Sequence, residues 1–374
     1  MKKSLYQLYR KWQYNRFFSS LTLLLYLYVY PIFQKWFYQK RYDQPMKKDG
    51  IRIAFICDEM TFRGFEFECS AVFVTPANWK NVLKKFQPEI LFCESAWSGI
   101  DAYQDCWRGR IYRNSKVGFE TRGIVFRILR RCKRLKIPTI FWNKEDPTFF
   151  GDAQHDFVDT ALYFDNIFTT AQECVERYRA LGHKQVETMM FAVQPRLFFP
   201  LPPEERDWDT AVFAGSWYAD QPQRCKDCCD IFDMVLAQGL KLVIYDRGYY
   251  SSDPNRRFPV QYAPYIQPPI PYTQLAKEVA KAGYAININT VQGSETMFAR
   301  RVFEWMACEV MIISNQSVGM EKLFPQSVWF FKKQFDFSRI KEFCQENRRR
   351  ILQEYTMGKQ LQRVLSIAQK GSNT

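Results

Sequence analysis

The chain has 374 residues, 47% of them apolar and 17% aromatic, and a formal net charge of +14. That length holds two ordinary domains with a core each, and the apolar share excludes a disordered or fibrous chain. Eleven cysteines, an odd number without framework spacing, exclude a small disulfide scaffold and read as a reduced, cytosolic protein.

The positive charge is concentrated. Residues 1–50 carry Lys2, Lys3, Arg10, Lys11, Arg16, Lys35, Lys40, Arg41, Lys47 and Lys48 against only Asp43 and Asp49, and RILRRCKRLK within 122–136 reads as a basic helix. Two such zones imply an anionic partner: phospholipid, nucleic acid or a phosphate-bearing substrate. From Phe17 to Gln34 the chain is uncharged and rich in Tyr and Phe, at the lower limit of what spans a bilayer. Residues 1–48 therefore read as a helical segment that spans or lies on the inner face of the membrane and contacts its lipid, with a buried helix as the alternative.

After a linker at 43–50, strand and helix patterns alternate. Apolar runs at 51–59, 89–97, 137–147, 165–170 and 186–193 are separated by helix-like segments at 78–86, 122–136 and 171–182, the last ending on Gly182. Residues 195–209, rich in Pro and acids, read as an interdomain linker. The alternation restarts with strands at 209–216, 240–248, 284–290, 309–315 and 327–332, a helix near 221–238 and another beginning at Gly293. Cys225, Cys228, Cys229 and Phe232 share one stripe of the 221–238 helix; a zinc site would want a second pair or nearby histidines, and the chain has only His155 and His183. No metal is expected.

Alternating strands and helices predict α/β architecture: two Rossmann-like parallel-sheet domains facing a cleft, with an amino-terminal apolar and basic helical segment. The expected boundaries are 1–48 for that segment, 49–198 for the first domain, 207–335 for the second and 336–374 for terminal helices. Ligands in such sheets bind beyond the carboxyl ends of the strands, where Asp58-Glu59, Glu94-Ser95, Glu145-Asp146, Gly215-Ser216 and Asp246-Arg247 stand.

The segments FWNKEDP, YFDNIFTTAQECVERY, VFAGSWYADQPQR, VIYDR, ININT and SETMFARRVFEWMACE, in this order over roughly 50–340, resemble the CgeB-like, spore-maturation-type bacterial glycosyltransferases of GT-B fold. The resemblance implies a cytoplasmic enzyme that moves a sugar from a nucleotide donor, expected to be UDP-linked, to a cell-envelope glycan or lipid-linked acceptor, with no cofactor and no nucleic-acid partner. Gly215-Ser216, between a strand and a helix, and Gly293-Ser294, opening another, would offer backbone N–H groups to a diphosphate. Arg224, Asp246, Arg247 and Arg300 or Arg301 would line the same site, and Glu304 would accept from the ribose hydroxyls. An i,i+4 Arg300–Glu304 surface pair is the competing account of those two residues. Related enzymes carry two glutamates with seven residues between them; here Thr296 holds the first position, so only Glu304 carries over.

No Asp-x-Asp stands in the context that metal-dependent GT-A enzymes use, and arginines can neutralise the leaving diphosphate, so transfer is expected to be metal-independent. Candidate bases for the acceptor hydroxyl are Asp58, Glu94, Glu145 and Asp146, each equally able to serve as a cap or an arginine partner. His155, in GDAQHDF, reads as a loop residue. The competing functional readings are transfer of another phosphate-linked group from a nucleotide, and a non-catalytic basic protein binding membrane or nucleic acid.

Overall fold

A computed structural model describes residues 50–371 apart from Gln104 and Gly118, so every expectation for residues 1–48 lies outside the described residues. The described chain divides into two compact units, one comprising the residues up to 169 with 178–187 and those from 364 onward, the other 170–177 with 188–363. Each is built on a six-stranded sheet.

The first sheet contains β1 (Arg52–Ile56), β2 (Ser70–Phe73), β3 (Ile90–Glu94), β4 (Thr139–Asn143), β5 (Asn166–Thr169) and β6 (Val186–Thr188), in the order β2-β1-β3-β4-β5-β6. The pairings from β2 through β5 are parallel. β3, β4 and β5 are buried at every position, as expected for strands covered on both faces. Their connections carry α1 (Glu59–Phe65), a short helical stretch of Trp79–Asn81 running on into Val82–Phe86, α2 (Gly123–Leu135), α3 (Phe157–Ala161) and α4 (Glu173–Ala180). Gly182 follows α4 at φ +92°, the left-handed stop that its position in the sequence announces.

The second sheet contains β7 (Asp207–Gly215), β8 (Lys241–Asp246), β9 (Ile266–Gln267), β10 (Ala282–Asn287), β11 (Met311–Ser314) and β12 (Trp329–Phe330), in the order β12-β11-β10-β7-β8-β9, all parallel. Counted from β7, this is the 3-2-1-4-5-6 order of a doubly wound nucleotide-binding sheet. Its helices are α5 (Pro222–Ala237), α6 (Tyr272–Lys281), α7 (Arg301–Ala307), α8 (Val318–Leu323) and α9 (Ile340–Glu354), and the chain closes with α10 (Met357–Gly371). One face is sealed by a core that includes Phe213, Cys228, Phe232, Ile286 and Ile313, with Cys225 and Cys229 half-buried beside it. The cysteine cluster is thus the inner stripe of α5.

Six of these elements escaped the sequence reading: the strands β2 and β9 and the helices α1, α3, α6 and α8. β2 and β9 are edge strands of four and two residues, too short to show a period. The helix expected from Gly293 is a correction: helix begins only at Arg301, and 293–300 is loop. The cause is polar competition. Ser294 Oγ accepts from the N–H of Met297 at 3.0 Å, the Ala299 N–H goes to Asn289 Oδ1, and Thr296 Oγ1 donates to the Thr170 carbonyl. These side chains offer the backbone another solution to its hydrogen bonds and delay the helix.

Candidate functional site

In a doubly wound sheet the crevice opens at the carboxyl ends of the two strands where the order reverses. In the second unit these are β7 and β10, and β7 ends at Gly215. A Cβ on Gly215 would lie 2.7 Å from Cζ of the Phe213 ring and 3.4 Å from Nη1 of Arg301. Glycine therefore stands here because the strand end is pressed between a core ring and a guanidinium. Two arginines grip the turn: Arg301 Nη1 donates to the Ala214 carbonyl at 2.5 Å and Arg224 Nη1 to the Ser216 carbonyl at 3.1 Å.

Tyr218 is the centre of the arrangement. The Arg224 guanidinium lies 4.7 Å and that of Arg256 4.4 Å from its ring centroid, while Arg247 donates to its hydroxyl at 3.2 Å. Burial opposes ionisation of Tyr218, but Arg247, Arg224 and Arg256 outweigh it and draw the phenol below its ordinary pKa. Arg301 is brought down to about 10 by burial and by repulsion from Arg247 and Arg224. Among the described residues no carboxylate forms a salt bridge with any of these four arginines. Such a cluster carries the charge to attract an anion.

Glu304 is buried on α7, its Oε1 accepting from Tyr272 Oη at 2.5 Å. Burial raises its pKa, with Arg300, the Tyr272 hydrogen bond and Arg301 pulling the other way. Arg300 lies over the Phe191 ring at 5.1 Å. Arg300 and Arg301 thus meet different neighbours, and Glu304 is buried rather than part of a surface pair with Arg300.

Two sequence expectations change in role. Gly293 is exposed, and a Cβ there would meet nothing within 4 Å, so no close approach requires glycine. No helix end lies at Gly293-Ser294 to present N–H groups. Ser294 is buried and donates to Glu173 Oε2. Asp246 is also buried, its Oδ1 accepting from the Gly248 N–H at 2.6 Å, which makes it the brace of the turn that carries Arg247.

In the first unit the order reverses at β1 and β3, with Asp58 and Glu94 at their carboxyl ends and Glu145 and Asp146 just beyond β4. Asp58 Oδ1 accepts from the N–H groups of Ser98 and Gly99, and Oδ2 from that of Trp97 and from Lys144 Nζ at 3.0 Å. Burial opposes its charge, yet Lys144 and the three N–H groups hold its pKa below the ordinary value. Glu94, fully buried, accepts from the Asp58 N–H, Thr61 Oγ1 and Lys144 Nζ. Asp146 is saturated as well, by Asn143, Thr169 and Tyr178. Glu145 differs. Burial raises its pKa; Lys144 and a hydrogen bond with Trp97 oppose this, and Asp58 and Glu94 add to it.

Around Trp97 stand the rings of Tyr112, Phe149, His155 and Phe157, with centroids 5.2–5.7 Å away. His155 is therefore part of an aromatic cluster rather than an isolated loop residue, and burial lowers its pKa against the pull of Asp152.

The sequence reading missed Tyr218, Arg256, Tyr272, Trp97 and Lys144 as site residues. Tyr218 and Lys144 adjoin the motifs it used, at two residues from Ser216 and next to Glu145. Arg256 lies in a loop where no periodicity points to it.

Comparison with known proteins bears on the fold that carries these residues. Residues 237–367 match a family described as glycosyl transferase-like. No curated protein matches the sequence. Among solved structures, a glycosyltransferase from Rickettsia africae is 11% identical with a TM-score of 0.52, covering 86% of this chain and 99% of its own. Anabaena HepE in complex with UDP-glucose is 10% identical with a TM-score of 0.52, over 86% and 98% of the two chains. An alpha-glucosyltransferase in complex with UDP and a 13-mer DNA is 11% identical with a TM-score of 0.56, over 86% and 100%. At such identity the likeness is one of fold, and it is the two-sheet fold expected from the sequence. The chain thus matches a glycosyl transferase-like family over residues 237–367 and folds as GT-B glycosyltransferases do.

Proposed function

We propose that the protein is a CgeB-like glycosyltransferase that takes a sugar from a nucleoside diphosphate, UDP first among them, and transfers it without a metal ion to a glycan or lipid-linked acceptor of the cell envelope. The observation that carries the reading is the unpaired cluster of Arg224, Arg247, Arg256 and Arg301 about Tyr218, at the switch point of a nucleotide-binding sheet order. One further negative charge develops on the departing diphosphate, which already carries two, and fixed guanidinium groups stabilise it more in the transition state than in the bound donor. This is the task a divalent ion performs elsewhere, and it is the reason for proposing metal independence. Glu304, with one oxygen held by Tyr272, directs the other to the ribose hydroxyls.

In the reaction an acceptor hydroxyl oxygen forms the new bond to the anomeric carbon while the bond from that carbon to the diphosphate oxygen breaks. The hydroxyl proton needs a base when the transfer inverts. Of Asp58, Glu94, Glu145 and Asp146, Glu145 is the best supported, since the other three are saturated by donors and its raised pKa makes it the more basic carboxylate. Asp58, Glu94 and Lys144 are proposed to position it. The half-exposed Trp97, Tyr112 and Phe149 beside it suit the apolar face of a sugar ring. The inner membrane is the proposed location, on the strength of the uncharged run Phe17–Gln34 with its flanking cations.

Thermal shift of the full chain with UDP, GDP, CDP and ADP, with and without EDTA, tests the donor site. Stabilisation by one nucleotide that persists in EDTA and is lost in Arg256→Ala is the expected result. A folded protein that no nucleotide stabilises would remove the reading.

A further inference from the structure

A second cationic feature lies in the first unit, away from the residues just described. α2 presents Arg127, Arg130, Arg131, Lys133, Arg134 and Lys136 to solvent while burying Val125, Ile128, Leu129 and Cys132. The helical stretch 79–86 exposes Lys80, Lys84 and Lys85 and buries Val82, Leu83 and Phe86. Neither segment contains an acid, and among the described residues none of these nine cations forms a salt bridge.

Topology brings the two segments together. The β2-to-β3 and β3-to-β4 connections step across the sheet in the same direction, whereas β1-to-β2 steps the opposite way. Right-handed crossovers therefore place 79–86 and α2 side by side on one face and α1 on the other. The β4-to-β5 connection steps the same way as α2, and the Phe126 ring meets that of Tyr163 at 4.7 Å. The nearby carboxylates are already engaged: Glu120 and Asp159 by Arg122, Asp165 by Thr139, and Glu89 by Arg52. A face with nine unneutralised cations costs self-repulsion unless an anionic surface meets it.

We infer that this face, formed by α2 and the 79–86 stretch, docks the protein on a membrane surface rich in anionic phospholipid. The cations ride on two regular helices across a sheet face, which suits a broad planar anion better than a groove. Leu135 and Tyr163, the latter 59% exposed, supply apolar and amphipathic contacts at its edge. Single-stranded nucleic acid would call for several exposed rings interleaved with the cations; here Trp79 and Phe126 are half-buried, and Tyr163 is the one exposed large ring beside this face among the described residues. The inference is independent of residues 1–48 and of the transferase reading.

The test is co-sedimentation of the full chain with vesicles of phosphatidylcholine alone or mixed with phosphatidylglycerol, at low and high salt. One variant combines Arg127→Glu, Arg130→Glu, Arg131→Glu and Arg134→Glu. A second makes the same change in net charge on exposed residues of the other unit: Lys277→Glu, Lys341→Glu, Arg349→Glu and Lys359→Glu. Each cation near an anionic surface contributes roughly a fivefold factor in partitioning, so the first variant should lose about a hundredfold or more of its salt-sensitive binding. The second should bind as wild type. Thermal melting of both variants, with and without nucleotide, reports folding and the donor site separately. Equal binding by the two variants would overturn the inference. So would a first variant that keeps vesicle binding and loses only affinity for a random DNA duplex.

Discussion

Arg301 and Glu304 sit three residues apart on α7 and meet opposite electrostatic problems. Arg301 has its charge made costly by burial and then by Arg247 and Arg224, a cost that a bound diphosphate would relieve. Arg301→Ala should therefore weaken nucleotide binding about tenfold to a hundredfold while lowering the melting temperature little, measured by titration calorimetry against the nucleotide that stabilises the wild type. Glu304 carries a raised pKa chiefly because of burial. A raised carboxylate contributes its stability at low pH and loses it as pH rises through the folded value. Glu304→Gln should thus melt no lower than wild type at pH 7 and yet bind nucleotide at least tenfold more weakly. A variant that is both less stable and fully active would show the carboxylate to be a packing device. Asp58 has the opposite sign. Its pKa is depressed, so its contribution is complete above the ordinary value of 3.8 and lost as pH falls below that through the folded value. Asp58→Asn should cost about 2 kcal/mol near pH 7, with the gap to wild type closing toward pH 3 in denaturant melts.

At the scale of elements, the loop 293–300 and the end of β7 show how alike two glycine-serine pairs look in sequence and how unlike they are in the fold. Gly215 is pinned between Phe213 and Arg301, and Gly293 has open space around it. Gly215→Ala should destabilise by roughly 1–3 kcal/mol and weaken nucleotide binding by displacing Arg301. Gly293→Ala should stay within about 0.5 kcal/mol and bind nucleotide normally. Parallel urea titrations with nucleotide binding on the same samples would decide it, and the reverse ranking would return the phosphate to the 293–300 loop. With helix beginning only at Arg301, the proposed anion binding falls to guanidinium side chains rather than to a helix end at Gly293.

At the scale of the molecule, the two sheets reverse strand order at β1/β3 and at β7/β10, and the two sets of charged residues lie at those points. Charge is divided between them. The first unit pairs Asp58 and Glu94 with Lys144, and in the second no carboxylate among the described residues forms a salt bridge with Arg224, Arg247, Arg256 or Arg301. If fixed arginines take the place of a divalent ion, nucleotide-induced stabilisation should be the same within error in EDTA and in magnesium, by differential scanning fluorimetry of the full chain. A shift that requires magnesium would transfer the diphosphate chemistry to an ion and leave the arginines a lesser role.

What the amino-acid sequence determined by itself is the class of fold and the places where charge would gather. Runs such as EILFCESAW and DTAVFAGS are apolar for the length of one strand and end in polar residues, and that pattern admits little but a buried parallel strand with its carboxyl end at a site. It also marked α5 as a packed helix despite its three cysteines. Tertiary structure alone decided which charges meet. Arg256 reaches Tyr218 from a loop without periodicity, Glu145 is set apart from Asp58, Glu94 and Asp146 by unequal numbers of donors, and a Cβ on Gly283 would fall 2.2 Å from the Trp208 carbonyl oxygen of the neighbouring strand. Patterns of hydrophobicity are local and repeat along the chain, so they can be read there. Desolvation, saturation of a carboxylate and the convergence of arginines depend on neighbours distant in sequence, and exist only once the sheets are assembled.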